Sequence, residues 1–301
     1  MNFYLWGGCE LDDCVPHLQK LLPTSEFHYI GGTTCGSLFS KPGPIAEAVH
    51  DWYEHFQANN SERVRSIQAP KNIYKEIVTK GFFDDWMIPY IKKDDWCILT
   101  YTKEIYPRYE HGGEHITLSN DIINDIKTCE KLKFPKHILP KLLDKKNIVG
   151  FDDEFVIHRY KNEWGPKMGE YISRYFDDRL LMVHIEPSRR RFSRMHGHYW
   201  TLPQIGTYSD VYASSNSKKY FNKNNWEEVN KTIKFLHTGF RMRYPHKIPT
   251  LSIKHTEVVG DDHHKWGKSA FHFDNKTSRH IANRIYKKIF DLTQPKIIDA
   301  G

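Results

Sequence analysis

The sequence predicts an α/β fold built on a mostly parallel sheet, and two observations carry that prediction. Five short apolar runs of strand length occur, at residues 3–6, 27–30, 96–101, 179–185 and 251–253, and segments with apolar residues at helical spacing separate them. A near-continuous run such as Trp96-Cys97-Ile98-Leu99-Thr100-Tyr101 is what a strand covered on both faces requires. Strands alternating with helices are the signature of crossovers between parallel strands.

The elements follow in chain order. Phe3-Tyr4-Leu5-Trp6 is stopped by Gly7-Gly8, and Leu11, Val15, Leu18, Leu21 and Leu22 then recur at helical spacing with Pro16 in the first turn. A second strand over 27–30 ends at Gly31-Gly32. A loop of small and hydroxyl residues over 33–44 leads to a helix over 45–57. Residues 64–68 read as an edge strand, 72–79 and 84–91 as helices, and 121–148 as short lysine-rich surface helices. The spacing over 154–175 predicts a longer amphipathic helix before the strand at 179–185, which ends in the loop signal Glu186-Pro187-Ser188. Residues 189–225, polar, aromatic and rich in Ser and Asn, exceed an ordinary connection and read as an active-site lid or an insertion. A helix over 225–236 turns Val229, Ile233 and Leu236 to one face. Ile281, Ile285 and Ile289 mark a C-terminal helix capped by Asp274 or Asn275. The whole chain, 1–301, reads as a single domain with that stretch inserted.

Composition narrows the function classes. A chain of 301 residues with 39% hydrophobic and 14% aromatic residues is not a disordered one, and no apolar run reaches the length of a membrane span. Lys and Arg exceed Asp and Glu by 44 − 37 = +7, concentrated locally at Arg189, Arg190, Arg191 and Arg194. Neither a zinc-finger spacing nor an RNA-binding aromatic motif accompanies that charge, which argues against a nucleic-acid partner. Five cysteines, with no Cys-x-x-Cys pair, suggest reduced thiols and no thiolate zinc site. The N-terminus lacks the basic start and long apolar stretch of a signal peptide, so a cytoplasmic location is expected.

In parallel sheets ligands sit beyond the carboxyl ends of the strands, so the residues that follow each strand carry the chemistry. Cys9 stands just after the Gly7-Gly8 turn, at the start of the helical pattern, where a thiolate is a competent nucleophile. From sequence position alone a buried, space-filling cysteine is the commoner reading of such a residue. Asp261, Asp262, His263 and His264, with His272 shortly after, place three imidazoles and two carboxylates within 12 residues ahead of the last helix. Structural capping and hydrogen bonding would also account for them.

A nucleophile after the first strand and an imidazole before the last helix are the parts of an acyl-transfer site. Trp6-Gly7-Gly8-Cys9 with Asp12, Ser37-Leu38-Phe39-Ser40-Lys41-Pro42, the stretch 96–106 followed by Gly113-Glu114-His115-Ile116-Thr117, and His264-Lys265-Trp266-Gly267 with Phe271-His272-Phe273 resemble the SGNH (GDSL-like) hydrolase superfamily, and in detail its DUF6270 branch. The resemblance implies a three-layer flavodoxin-like fold with helices on both faces of the sheet. It puts the nucleophile on Cys9, where the superfamily has serine, and Gly8 where the superfamily has aspartate. His272 is implied as base with Asp261 or Asp262 as orienting carboxylate, and His264 competes because Asp261 lies three residues before it. Oxyanion donors would be the backbone at Cys9 and at Gly36 or Ser37. After Tyr101 the chain reads Thr102-Lys103-Glu104, without the superfamily's Gly-x-Asn-Asp.

The expected function is therefore an esterase or O-acyltransferase acting on an acylated carbohydrate, with no cofactor. Arg189, Arg190, Arg191 and Glu104, together with the aromatic 189–225 stretch, would contact the substrate through guanidinium pairing and ring stacking. Two alternatives stand beside it. One is a metal-dependent hydrolase that uses Asp261, Asp262, His263, His264 and the pair His196-x-His198. The other is a non-catalytic protein of the same fold that binds a glycan or serves in an assembly.

Overall fold

The computed structural model describes residues 1–31, 43–44, 91–102, 108–117, 148–149, 158–188, 190–193, 198–201, 226–244, 247–261, 263–264 and 272–294. The helix expected over 45–57, the strand over 64–68 and the helices over 72–79 lie outside them, as do 121–147 and nearly all of 33–44 and 84–91.

The five apolar runs are the five strands of one parallel sheet: β1 (Asn2–Gly7), β2 (Glu26–Gly31), β3 (Trp96–Leu99), β7 (Leu180–Ile185) and β10 (Thr250–Ile253). Six further short strands form two smaller three-stranded sheets: β4 (Arg108–His111) lies between β5 (Glu114–Thr117) and β6 (Ile148–Val149), and β8 (Arg190–Ser193) lies between β9 (His198–Thr201) and β11 (Gly260–Asp261). The central order is β10-β7-β3-β1-β2, and each of its four pairings is parallel. Counting only central strands in chain order gives 2-1-3-4-5. The direction of winding thus reverses between β1 and β3, and at such a switch the carboxyl ends of neighbouring strands open a crevice.

Helices account for the burial that the apolar runs require. Every residue of β7 and β3 is buried, as are Phe3, Tyr4, Leu5 and Trp6 of β1. Tyr4 meets the edge of Phe176 from α3 (Gly165–Phe176), and Tyr101, just beyond β3, packs on His237 and Phe240 of α4 (Trp226–Arg241). Its neighbour Thr100 instead bonds Glu10 of α1 (Cys9–Asp12). Successive side chains of an extended chain point to opposite faces, so α1 and α4 meet the sheet from opposite sides.

Where elements depart from expectation, local chemistry gives the reason. The single helical stripe over 11–22 is two short helices, α1 and α2 (Val15–Leu21), with Pro16 in the first turn of α2, where a missing N–H costs little. The helix expected over 154–175 is described from 158 and passes through a π turn over Tyr160–Trp164 before α3. Pro166 cannot donate to the carbonyl of Asn162, and Gly165 N–H reaches back five residues to Tyr160 O. Helix α4 runs past the expected end at Leu236 because Phe240 extends its buried stripe. Gly239 permits a close crossing: a Cβ there would lie 2.6 Å from Lys161 O, and one at Gly169 of α3 only 2.3 Å from Phe240 O.

The hairpin β4–β5 turns at Gly112-Gly113, whose φ values of 62° and 88° suit glycine. Arg159 ties this hairpin to the π turn, donating to Glu110 at 2.8 Å and to Glu163 at 2.9 Å while its guanidinium lies 3.9 Å from the centre of the Trp164 ring. The stretch read as a lid or insertion begins with strands β8 and β9, paired antiparallel, and β11 joins β8 in parallel; residues 202–225 lie outside the described set. The last helix, α5 (Asn275–Thr293), starts as expected at an Asp274 cap that accepts from Thr277 N–H at 2.7 Å.

Candidate functional site

The switch between β1 and β3 is built around a buried carboxylate. β1 ends in Gly7-Gly8, and the ladder to β3 continues one step further through Thr100 N–H to Trp6 O at 2.8 Å. Glu10, 1% exposed, folds back so that its Oε1 accepts from Gly8 N–H at 3.1 Å, from the Thr100 hydroxyl at 2.8 Å and from the Thr102 hydroxyl. This is a relative of the capping box, with the carboxylate two residues past the N-cap Gly8 instead of three. Cys9 is held between the cap and the carboxylate, partly exposed. Cys14 and Cys97 are fully buried, and burial pushes both thiols up; the neighbouring carboxylates Asp13, Glu10 and Asp12 push Cys14 in the same direction. Among the described cysteines, Cys9 is thus the one placed to react; Cys35 and Cys129 lie outside the described residues.

The C-terminal segment reaches the same place. Cys14 Sγ–H points to Ser278 O at 3.4 Å and to Glu10 O at 3.0 Å, and the His17 ring pairs with Asn275 at 3.0 Å, so the first turn of α5 is clamped onto α1 and α2. Just upstream, Asp261 N–H donates to His272 O at 2.9 Å and Asp274 N–H to Val259 O at 3.0 Å. His264 Nε2 lies 2.7 Å from Asp13 Oδ2, with both side chains about nine-tenths buried. Asp13 N–H bonds Cys9 O at 2.9 Å, so Asp13 stands one helical turn after Cys9. His272 is buried and stacks on His264, ring centres 4.6 Å apart and nearly parallel. A carboxylate can only accept, so the Asp13 contact puts the proton of a neutral His264 on Nε2 and leaves Nδ1 as its basic nitrogen.

The remaining candidates take up other places. Asp261 Oδ1 accepts from His263 N–H at 2.9 Å, a local turn contact. Arg190 is exposed, donates to Thr256 O at 2.8 Å, and lines a cleft of about 390 Å³ with Glu257, Asp274, Lys276 and His280. Asp262, Gly36, Ser37, Glu104 and Arg189 lie outside the described residues, as do His196 and the side chains of Arg191 and His198. Among the described residues no group of three His, Cys, Asp or Glu side chains is close enough to hold a metal ion.

Sequence reasoning passed over Asp13, Glu10, Thr100 and Thr102. For Asp13 a signal existed, because the Cys9-x-x-x-Asp13 interval puts both residues on one helical face. No family model matches the chain, and neither a curated protein nor a solved structure is significantly similar to it.

Proposed function

We propose that this chain is an SGNH-like esterase or O-acyltransferase of three-layer flavodoxin-like architecture, acting on an acylated carbohydrate through Cys9. The observation that carries the reading is the Asp13–His264 hydrogen bond of 2.7 Å, which joins segments 251 residues apart within one helical turn of the thiol. In the proposed step, His264 Nδ1 takes the Cys9 proton, Sγ attacks the ester carbonyl, and the oxygen bears negative charge at the backbone amides of Cys9 and Gly36. Collapse expels the alcohol, which receives the proton back from His264. Water or a second hydroxyl then releases the acyl group from sulfur by the reverse sequence. Asp13 steadies the imidazolium that forms in each half. His272, stacked on His264, walls the base on one face; the base is His264 and not the His272 that the resemblance implies, because the orienting carboxylate, Asp13, is bonded to His264. Arg190 and its neighbours supply donors for a sugar hydroxyl or an anionic glycan group.

A thiol-reactive ester probe followed by peptide mapping tests this reading. The expected result is an adduct at Cys9 alone, turnover of an O-acetylated polysaccharide lost in Cys9→Ala, and kcat lowered about 10²–10⁴-fold in His264→Gln, the range for removing a general base. Equal labelling of all five cysteines, or full turnover in Cys9→Ala, would overturn it and favour a glycan-binding protein without catalysis.

A further inference from the structure

The Glu10 carboxylate has more donors than a surface-type first-turn acid needs, and it occupies space next to the candidate nucleophile. A Cβ built on Gly8 would lie 1.9 Å from Glu10 Oε2 and 2.4 Å from Thr102 Oγ1; one on Gly7 would lie 1.9 Å from Thr100 Oγ1. The two glycines are therefore what lets the carboxylate fold back across the turn. Oε1 gathers three donors from two strand ends, whereas Oε2 is buried with no hydrogen-bond partner among the described residues. A buried carboxylate oxygen left without a donor is costly, and a protein tolerates that cost where the rest of the group fixes something. What it fixes is the backbone on either side of Cys9: Gly8 N–H ahead of it and Glu10 itself behind.

We propose that Glu10 is the positioning residue of the Cys9 turn, holding it to the ends of β1 and β3 through Gly8 N–H, Thr100 and Thr102. It rests on the reading of Cys9 as nucleophile for its consequence in catalysis, but the lock itself is independent of that reading. Glu10 touches neither substrate nor the reacting sulfur in this scheme. Gly8 N–H points to Glu10 and is taken out of the set of oxyanion donors, which leaves the Cys9 amide as the donor of this turn. A side chain at position 8 and the Glu10 carboxylate compete for one volume, so the two positions are energetically coupled.

Hydrogen exchange of the Gly8 amide in the full chain, labelled with ¹⁵N-glycine, reads the lock without any substrate. Glu10→Gln keeps an acceptor at Oε1 and is expected to keep Gly8 protection. Glu10→Asp, one methylene short, is expected to lose at least about tenfold of it, with Thr102→Val intermediate and still folded should Glu10→Asp fail to fold. Read by chemical denaturation, Gly8→Ala is expected to destabilise the wild-type background and to add little in the Glu10→Ala background, a non-additivity that shared space predicts. On an activated ester, Glu10→Asp should lower kcat with KM held and Glu10→Gln should recover most of the loss, a split that general destabilisation does not produce. Gly8 protection equal in wild type, Glu10→Asp and Thr102→Val overturns the proposal. If Gly8 protection behaves as expected while Cys9 shows no ester chemistry, the lock stands and the reading of Cys9 as nucleophile falls.

Discussion

Acid should unfold this protein through His237. Its ring lies in α4 between Tyr101, 5.2 Å away, and His184 of β7, 5.8 Å away; both histidines are buried, and neither His237 Nε2 nor His184 Nδ1 has a hydrogen-bond partner among the described residues. Desolvation, helped by the nearby His184 and Arg241, lowers His237 from 6.5 to about 3. The folded chain thus keeps the ring neutral while the unfolded chain protonates it near its ordinary value. Stability from this group is fully present above about pH 6.5 and erodes as the pH falls toward 3. At about 1.4 kcal/mol per pH unit, moving from pH 6.5 to 4.5 removes about 3 kcal/mol, roughly a hundredfold in the folded-to-unfolded ratio. Urea denaturation at half-unit steps of pH measures this directly. His184, also lowered by burial against the opposing pull of Glu186, and His17 contribute in the same direction. Glu186 is held to about 2 by hydrogen bonds from His255 and Lys254 that outweigh its burial, so its contribution is lost only below about pH 4.5. In His237→Phe the pH dependence between 6.5 and 5 should be shallower by about one proton's worth, because the ring that takes up a proton on unfolding is gone. An unchanged slope in that variant would refute the assignment of the acid sensitivity to this ring.

Two further substitutions probe the architecture. Gly169→Ala drives a methyl against the Phe240 carbonyl, a backbone atom of α4, and should destabilise by about 1–3 kcal/mol or more in a thermal melt, as overpacking at an immovable neighbour does. Arg159→Met leaves Glu110, whose side chain is 11% exposed, without its closest cation, and should cost about 2–4 kcal/mol by chemical denaturation, while Lys167→Met on the solvent side of Glu163 should cost under about 1 kcal/mol.

Apolar runs were enough to place all five central strands, because strands covered on both faces need continuous hydrophobicity and hardly anything else produces it. Their order was not readable, since periodicity says which residues are buried but not beside whom. The helix end expected at Leu236 was misjudged because the helix continues through Gly239, which serves a crossing, and the π turn ahead of Pro166 left no mark on the periodicity over 154–175. Residue type and position after strands pointed to the Cys9 and His264–His272 segments, which the Asp13–His264 contact brings together. For Asp13 the helical interval from Cys9 was a signal of position only, because its hydrogen-bond partner His264 lies 251 residues away and local pattern carries no trace of such a pairing. Glu10 was hidden for another reason: a first-turn acid ordinarily faces water, and only the glycines beside it permit the inward turn.

The neck formed by Val259, Asp261, His272 and Asp274 has an evolutionary consequence. Two backbone hydrogen bonds, Asp261 to His272 and Asp274 to Val259, together with the bridge between Gly260 and Phe273, bring the two ends of one excursion side by side. Chain can be lengthened, trimmed or exchanged between those ends without shifting a strand or a helix, since closing a longer excursion adds only slowly to its entropic cost. His272 stands at that neck and His264 between its ends, so such exchanges alter the surroundings of the proposed base and leave the scaffold in place.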